Sequence, residues 1–318
     1  MPLRLRRSCT LAPSLAVRAV WGRMAAAKHL PVAGVFGTVD LTAGRRETPV
    51  SPGFRNSRKV LEMIRFASLG SGSQGNALVV DAGETKVLVD CGFSTRMATA
   101  RLARLGTCAE DLAAILVTHE HGDHVAGVFS LAGRYRIPVY LTHGTHAAAA
   151  RGRSGLPECR LIDGHAPFAV GCLEVQPFPV PHDAREPVQY AFSDGAHRLG
   201  VLTDSGSITP HIVDVLGLCD ALVLECNHDQ GLLAASRYPT HLKRRIAGRF
   251  GHLENGQAAA LLQQVDTRRL QHLVAAHLSQ ENNRPRLAAA ALATALGCDE
   301  DWIGVADQDG GFDWRQLI

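Results

Sequence analysis

Three features of this 318-residue sequence predict an α/β fold with helices packed outside sheets. Short β-rich runs between residues 64 and 89 are separated by turn clusters, a hairpin pattern. Beyond residue 94, β-rich runs alternate with helical spacings, which implies crossover connections. Hydrophobic residues make up 46% of the chain, enough for a substantial core.

Residues 1–62 show no sustained periodicity. They carry 11 Lys and Arg against three acidic residues, whereas 63–318 carry 22 against 27. A disordered tail, an acid-poor transit peptide and a start placed too early all fit the first segment. The last is favoured, because Met63-Ile-Arg-Phe66 opens directly into a strand pattern. Residues 1–62 are thus expected to be a poorly ordered basic extension ahead of one folded domain, 63–318.

Within that domain, 64–69 alternates as a short strand and Gly70-Ser-Gly-Ser-Gln-Gly75 is a turn cluster that Asn76 would help to fix. It lacks the lysine of a nucleotide-binding loop, so it reads as a structural turn. Runs 77–80 and 86–89 flank the hairpin signal Asp81-Ala-Gly83. Residues 94–105 place Met97, Ala98, Leu102 and Leu105 near helical spacing. Residues 114–117 read as a buried strand, since four apolar residues run without alternation. Further strands are expected at 138–141, 173–178, 189–193, 199–202, 221–224 and 274–276, and helices near 256–264 and 286–296.

Several function classes fall away on composition. No apolar run reaches the roughly 18 residues of a membrane span, and the apolar stretch at 11–17 is broken by Pro13 and Ser14. None of the eight cysteines forms a C-x-x-C pair, and Cys91 and Cys219 sit in apolar company. They read as reduced core residues of a cytoplasmic protein. The mildly acidic body offers no blanket grip on nucleic acid, although Lys243-Arg-Arg245 with Arg249 forms a local basic cluster.

Histidine is the informative excess, at 15. The strand at 114–117 runs directly into Thr118-His-Glu-His-Gly-Asp-His124. Four ligand-type side chains in six positions cannot share one face of a helix or strand, so a tight loop directing them at two nearby centres is expected. Imidazole and carboxylate suit Zn²⁺, and Mn²⁺ or Fe²⁺ less selectively. Asp90, His182, Asp204, Glu225, His252 and His277 each close or follow an apolar run. Strand ends of this kind converge on one edge of an α/β architecture, which makes these six candidates to complete the site. His143 and His146, beside Thr142 and Gly144, read as a cap and surface pair. His228 is left open.

The run His119-x-His121-x-Asp123-His124 resembles the hallmark of the metallo-β-lactamase fold. Asp90, His182, Asp204 and His277 match that superfamily's remaining stations in order. More narrowly, Ser68-Leu-Gly-Ser-Gly-Ser-Gln-Gly-Asn76, residues 244–258 and His277-Leu-Ser-Gln-Glu-Asn-Asn283 resemble the WalJ/YycJ-like family, which groups near the tRNA 3′-processing phosphodiesterases. The resemblance implies a four-layer αββα sandwich over 63–318, a catalytic domain with metals at one edge. It implies that His119, His121 and His182 hold the first of two divalent ions, Zn²⁺ or Mn²⁺. Asp123, His124 and His277 would hold the second, Asp204 would bridge both, and Asp90 would orient a ligand histidine. His252 is similar in position to a histidine that contacts the scissile phosphate, and Glu225 to its partner carboxylate. Glu254 stands where the family pattern usually has Ser.

The expected activity is two-metal hydrolysis of a phosphodiester in DNA or RNA, as in an exonuclease. Asp123 would take a proton and His252 would serve the leaving group. Hydrolysis of a small thioester, lactone or cyclic phosphodiester is the alternative, favoured by the acidic body. A non-enzymatic, metal-stabilised module is a third reading, against which the intact ligand set argues.

Overall fold

Strands that are apolar on both faces must be covered on both faces, and that requirement dictates the layers of this fold. The computed structural model describes residues 63–318; the extension at 1–62 lies outside the described residues. Six strands lead into the first sheet: β1 (Arg65–Gly70), β2 (Ala77–Ala82), β3 (Thr85–Val89), β4 (Leu112–Leu116), β5 (Val139–Thr142) and β6 (Cys159–Ile162). The second sheet contains β7 (Phe168–Val170), β8 (Leu173–Pro179), β9 (Val188–Ser193), β10 (Arg198–Leu202), β11 (Ala221–Glu225), β12 (His272–Ala276) and β13 (Gly304–Val305). The chain then returns to the first sheet through β14 (Phe312–Gln316), giving the orders β14-β1-β2-β3-β4-β5-β6 and β13-β12-β11-β10-β9-β8-β7. The helices are α1 (Thr95–Arg104), α2 (Gly122–Val125), α3 (Val128–Tyr135), α4 (His143–Ala149), α5 (Pro210–Leu216), α6 (Gln230–Ala235), α7 (Thr240–Ile246), α8 (Asn255–Leu262) and α9 (Pro285–Leu296).

Successive side chains of a strand point to opposite faces, and here both sets are buried. In β2, Leu78 and Val80 enter the core between the sheets while Val79 packs outward. In β11, Val223 faces that central core and Leu222 and Leu224 face the other way. Three apolar layers result. The central one joins the sheets, one lies between the first sheet and α1 and α3, and one lies between the second sheet and α5, α8 and α9. The predicted four-layer sandwich is therefore present.

The expected helices at 94–105, 256–264 and 286–296 appear as α1, α8 and α9. Ser94 caps α1 by accepting from Met97 N. The expected tight loop after β4 is only partly a loop, because Asp123 and His124 lie in the single helical turn α2. His143 opens α4, which Thr142 caps.

What positions the site is strand direction. Strands β3 to β6 run parallel, as do β10 to β13. Strand β8 is antiparallel to β9, which is antiparallel to β10, so β8 runs with β10. Their C-terminal ends carry Asp90 (after β3), residues 118–124 (after β4), His182 (after β8), Asp204 (after β10), Glu225 (closing β11) and His277 (after β12).

Candidate metal centre

Three of these strand ends share a backbone device. Asp90, Asp204 and His277 all adopt the left-handed region, with φ of 59°, 53° and 55°. A side chain there costs on the order of 1–2 kcal/mol, and such residues cluster at functional sites. The conformation stops each strand and turns its side chain over the sheet edge. Neighbouring backbone locks the turns in place, since Asp90 N donates to Leu116 O and Cys91 N to His124 O.

Asp90 organises the first group. Its buried carboxylate accepts from Thr118 N (2.8 Å), from the Thr118 hydroxyl (2.8 Å) and from His124 Nδ1 (2.8 Å). With its proton committed to Asp90, the Thr118 oxygen can only accept from His119 Nδ1, 2.9 Å away. This chain of hydrogen bonds places a proton on Nδ1 of both rings and turns the Nε2 atoms of His119 and His124 inward. His182 is set the same way, donating from Nδ1 to Gly251 O at 3.0 Å. Its Nε2 lies 3.2 Å from His121 Nδ1.

The inward atoms form overlapping groups. Potential ligand atoms lie within 4.8 Å of one another in four sets: His119, His121 and His182; His119, His124 and Asp204; Asp123, His124 and His277; and Asp204, Glu225, His252 and His277. All seven expected metal ligands are thus gathered at one place, with Asp204 shared between sets. Asp204 Oδ2 lies 3.0 Å from His124 Nε2, and Asp204 Oδ1 is 3.5 Å from His277 Nδ1 and 4.0 Å from His182 Nε2.

These residues fit divalent cations on two observations. His119 Nε2 and Asp204 Oδ2 are buried without a hydrogen-bond partner, although the carboxylate oxygen sits beside an imidazole nitrogen. A buried lone pair facing a buried carboxylate calls for a positive charge between them. The donor set, imidazole and carboxylate without thiolate, suits Zn²⁺ and comparable divalent ions.

Electrostatics divides the imidazoles. Burial, reinforced by the charge of His124, pushes His119 well below its ordinary range, and burial also lowers His182. Both imidazoles are thus neutral, the form that metal binding requires. Burial would lower His124 and His277 too, but Asp204 and the other carboxylates around them win, holding His124 well above the usual range and His277 at about 10. Without metal these two imidazolium ions supply the missing positive charge. Burial would raise Asp204, but His277 and His124 hold it well below the carboxylate range. Burial does raise Asp90, against the pull of His124 and Thr118.

The fourth set contains a hydrogen-bonded histidine–carboxylate pair. His252 Nδ1 lies 2.8 Å from Glu225 Oε1 and 3.5 Å from Asp204 Oδ1. Burial would raise Glu225, but His252 and His277 beside it hold it at about 2. Glu225 Oε2 also accepts from Ser205 N and Leu253 N. Glu254, the departure from the family pattern, turns away and caps α8, accepting from Gly256 N at 2.8 Å.

The group opens into a cavity of about 390 Å³, lined by Asp123, Asp204, His252 and His277 and walled by Tyr238, Leu242, Arg245 and Ile246 around α7. Asp183 also lines it and was missed by sequence reasoning, although it adjoins His182. Its Oδ1 lies 3.7 Å from His121 Nε2, and Arg245 donates to its Oδ2 at 2.6 Å. Thr118 was missed as well. His228, left open above, faces a separate cavity beside Lys243, Arg244 and Glu254. The turn at 70–75 is closed by Asn76, which accepts from Gly72 N and donates to Gly72 O.

Comparison with known proteins adds an independent line. The sequence profile of the family described as Beta-lactamase superfamily domain matches residues 85–275. Exodeoxyribonuclease YycJ of Bacillus anthracis is 37% identical over 250 residues, which span 77% of this chain and 92% of that protein. Exodeoxyribonuclease WalJ of Streptococcus pneumoniae is 31% identical, over 76% of this chain and 91% of its own. Among solved structures, the metallo-β-lactamase fold protein YhfI from Bacillus subtilis superposes with a TM-score of 0.62 at 17% identity. That alignment covers 80% of this chain and 99% of YhfI, a likeness of fold.

Proposed function

The chain belongs to the β-lactamase superfamily, in its metallo-β-lactamase-fold branch, and from that premise we propose that it is a metal-dependent phosphodiesterase acting as an exonuclease on DNA. The observation that carries the reading is the His252–Glu225 pair set beside Asp204 at the floor of the ligand cavity. Relatives that match over nine-tenths of their own length bear the name exodeoxyribonuclease.

In this reading His119, His121 and His182 would hold one ion, and Asp123, His124 and His277 the other, with Asp204 between them. Zn²⁺ and Mn²⁺ are the proposed occupants. Bound divalent cations supply an activated water and charge stabilisation for a phosphoryl group. The protein's own groups do the rest. Asp123, ionised and facing the cavity, accepts the proton of the attacking water. Glu225 anchors His252 through Nδ1, so that Nε2 is free to donate a proton to the leaving oxygen. Arg245, which lines the cavity, and the exposed Arg244 and Arg249 close to it in the chain would attract the phosphate backbone. No helix among the described residues is long and apolar enough to cross a membrane. A cytoplasmic location and a catalytic domain over 63–318 belong to the same proposal.

The test is cleavage of 5′- and 3′-labelled DNA and RNA, single- and double-stranded, with Mn²⁺, Zn²⁺ or chelator. Products that shorten from one labelled end, vanish with chelator and vanish in His121→Ala support the exonuclease. Intact DNA and RNA with metal bound would refute it and favour a small-molecule substrate.

A further inference from the structure

We propose that Phe250, braced by Arg249, is the stacking platform for the nucleobase next to the scissile phosphate, an inference that rests on the nucleic-acid reading above. Phe250 is 48% exposed, although the next two residues in the chain, Gly251 and His252, line the catalytic cavity. An aromatic side chain left in water normally reflects a mobile loop that has nowhere better to put it. This segment is held instead at consecutive backbone groups. Arg249 O accepts from the Ser207 hydroxyl (3.1 Å), Phe250 O from Asp183 N (3.0 Å) and Gly251 O from His182 Nδ1 (3.0 Å). Gly251 N donates to Gly248 O and His252 N to Ile246 O.

Gly206 completes the brace. A Cβ there would lie 2.3 Å from Gly251 N and 2.6 Å from Phe250 N, so the two backbones are in direct contact. The ring is therefore presented to solvent at a fixed offset from His182 and His252. The guanidinium of Arg249 lies over it, 4.9 Å from the ring centroid, a cation–π arrangement. Flat aromatic and guanidinium surfaces beside a cationic rim are the chemistry that binds single-stranded nucleic acid without reading its sequence. Further cations sit on the adjoining α7: Arg245 lines the catalytic cavity, and Lys243 and Arg244 line the separate one beside His228. Every base has a face to stack, so the platform would hold successive terminal nucleotides alike.

The experiment compares the parent with Phe250→Ala and Phe250→Trp on a single-stranded oligodeoxynucleotide and on the same oligomer with abasic residues at the cleaved end. Phe250→Ala should raise KM on the base-bearing strand at least about fivefold, the lower end of what one base–aromatic stack contributes. It should leave kcat within about twofold and leave the abasic substrate unaffected, and Phe250→Trp should restore KM. An unchanged KM, or an equal rise on both substrates, would overturn the platform. A second readout works with chelator present and no turnover. Emission of Phe250→Trp, compared with the parent, should be quenched by the base-bearing strand and not by the abasic one. If the parent cleaves no nucleic acid, the exonuclease reading fails separately. The quench then decides the platform alone, and its absence, or equal quenching by both strands, overturns it.

Discussion

Replacing Asp90 with Asn tests whether the site is built from its outer groups inward. Asp90 does not line the cavity at the metal site, yet its Oδ2 accepts from both the Thr118 hydroxyl and His124 Nδ1 at 2.8 Å. An amide places an N–H donor at that position or, flipped, withdraws acceptance from Thr118 N. Either way at least one of three buried bonds is lost, and the chain that fixes the tautomers of His119 and His124 is broken. Loss of an outer-shell partner of this kind typically costs 10- to 100-fold in metal affinity, about 1.4–2.8 kcal/mol. Because His119 is reached only through Thr118, the loss should extend to the ion proposed for His119, His121 and His182. The assay is competition with a chromophoric chelator for Zn²⁺, with far-ultraviolet circular dichroism as the folding control. A folded Asp90→Asn protein that holds both ions as tightly as the parent would refute the reasoning.

Four further outcomes are expected. His277 is raised to about 10 from an ordinary 6.5, so its contribution to stability in metal-free protein is full below pH 6.5 and lost as pH rises through 10; melting temperatures in chelator should fall from pH 7 to 10, and a flat profile would contradict this. Glu225, held at about 2 from 4.5, acts at the other end, its contribution fading as pH falls from 4.5 to 2. In Gly92→Ala the new Cβ would lie 2.0 Å from Asp123 O; with no proposed ligand changed, elemental analysis should show loss of the ion proposed at Asp123, and unaltered metal content would show that α2 yields freely. Glu254→Ala removes only a helix cap, so a loss of about 1 kcal/mol in urea unfolding should leave cleavage rates unchanged; faster cleavage would instead place that carboxylate beside the phosphate.

Much of the candidate site could be read from the sequence, because its residues sit where apolar runs stop. Val87-Leu-Val, Val201-Leu-Thr and Val274-Ala-Ala announce buried strands, and the polar residue after each has only the sheet edge to occupy. What turns Asp90, Asp204 and His277 over that edge, their left-handed backbone, left no trace in composition. Thr118 was invisible for a different reason. A threonine before a histidine is ordinary, and only the three-dimensional meeting with Asp90 gives it a task. Helix α7 has no buried residue, so its Thr-His-Leu-Lys-Arg-Arg-Ile carries no apolar stripe to detect, yet it walls the cavity. Strands β6 and β14 escaped because both are half open to solvent, which blurs the period of two.

The pairing of β1 with β14 bears on how the molecule is made. Phe66 lies opposite Arg315, and Leu317 N donates to Ile64 O, across some 250 residues of intervening chain. During synthesis every other strand of the first sheet emerges before β1 gains its second neighbour. Until then one edge of the sheet presents unpaired N–H and C=O groups, a template for pairing with another nascent chain. Contacts so distant also place this protein among slow folders. A copy ending before Phe312 would keep that edge permanently open, and its fate would be aggregation before any question of catalysis arose.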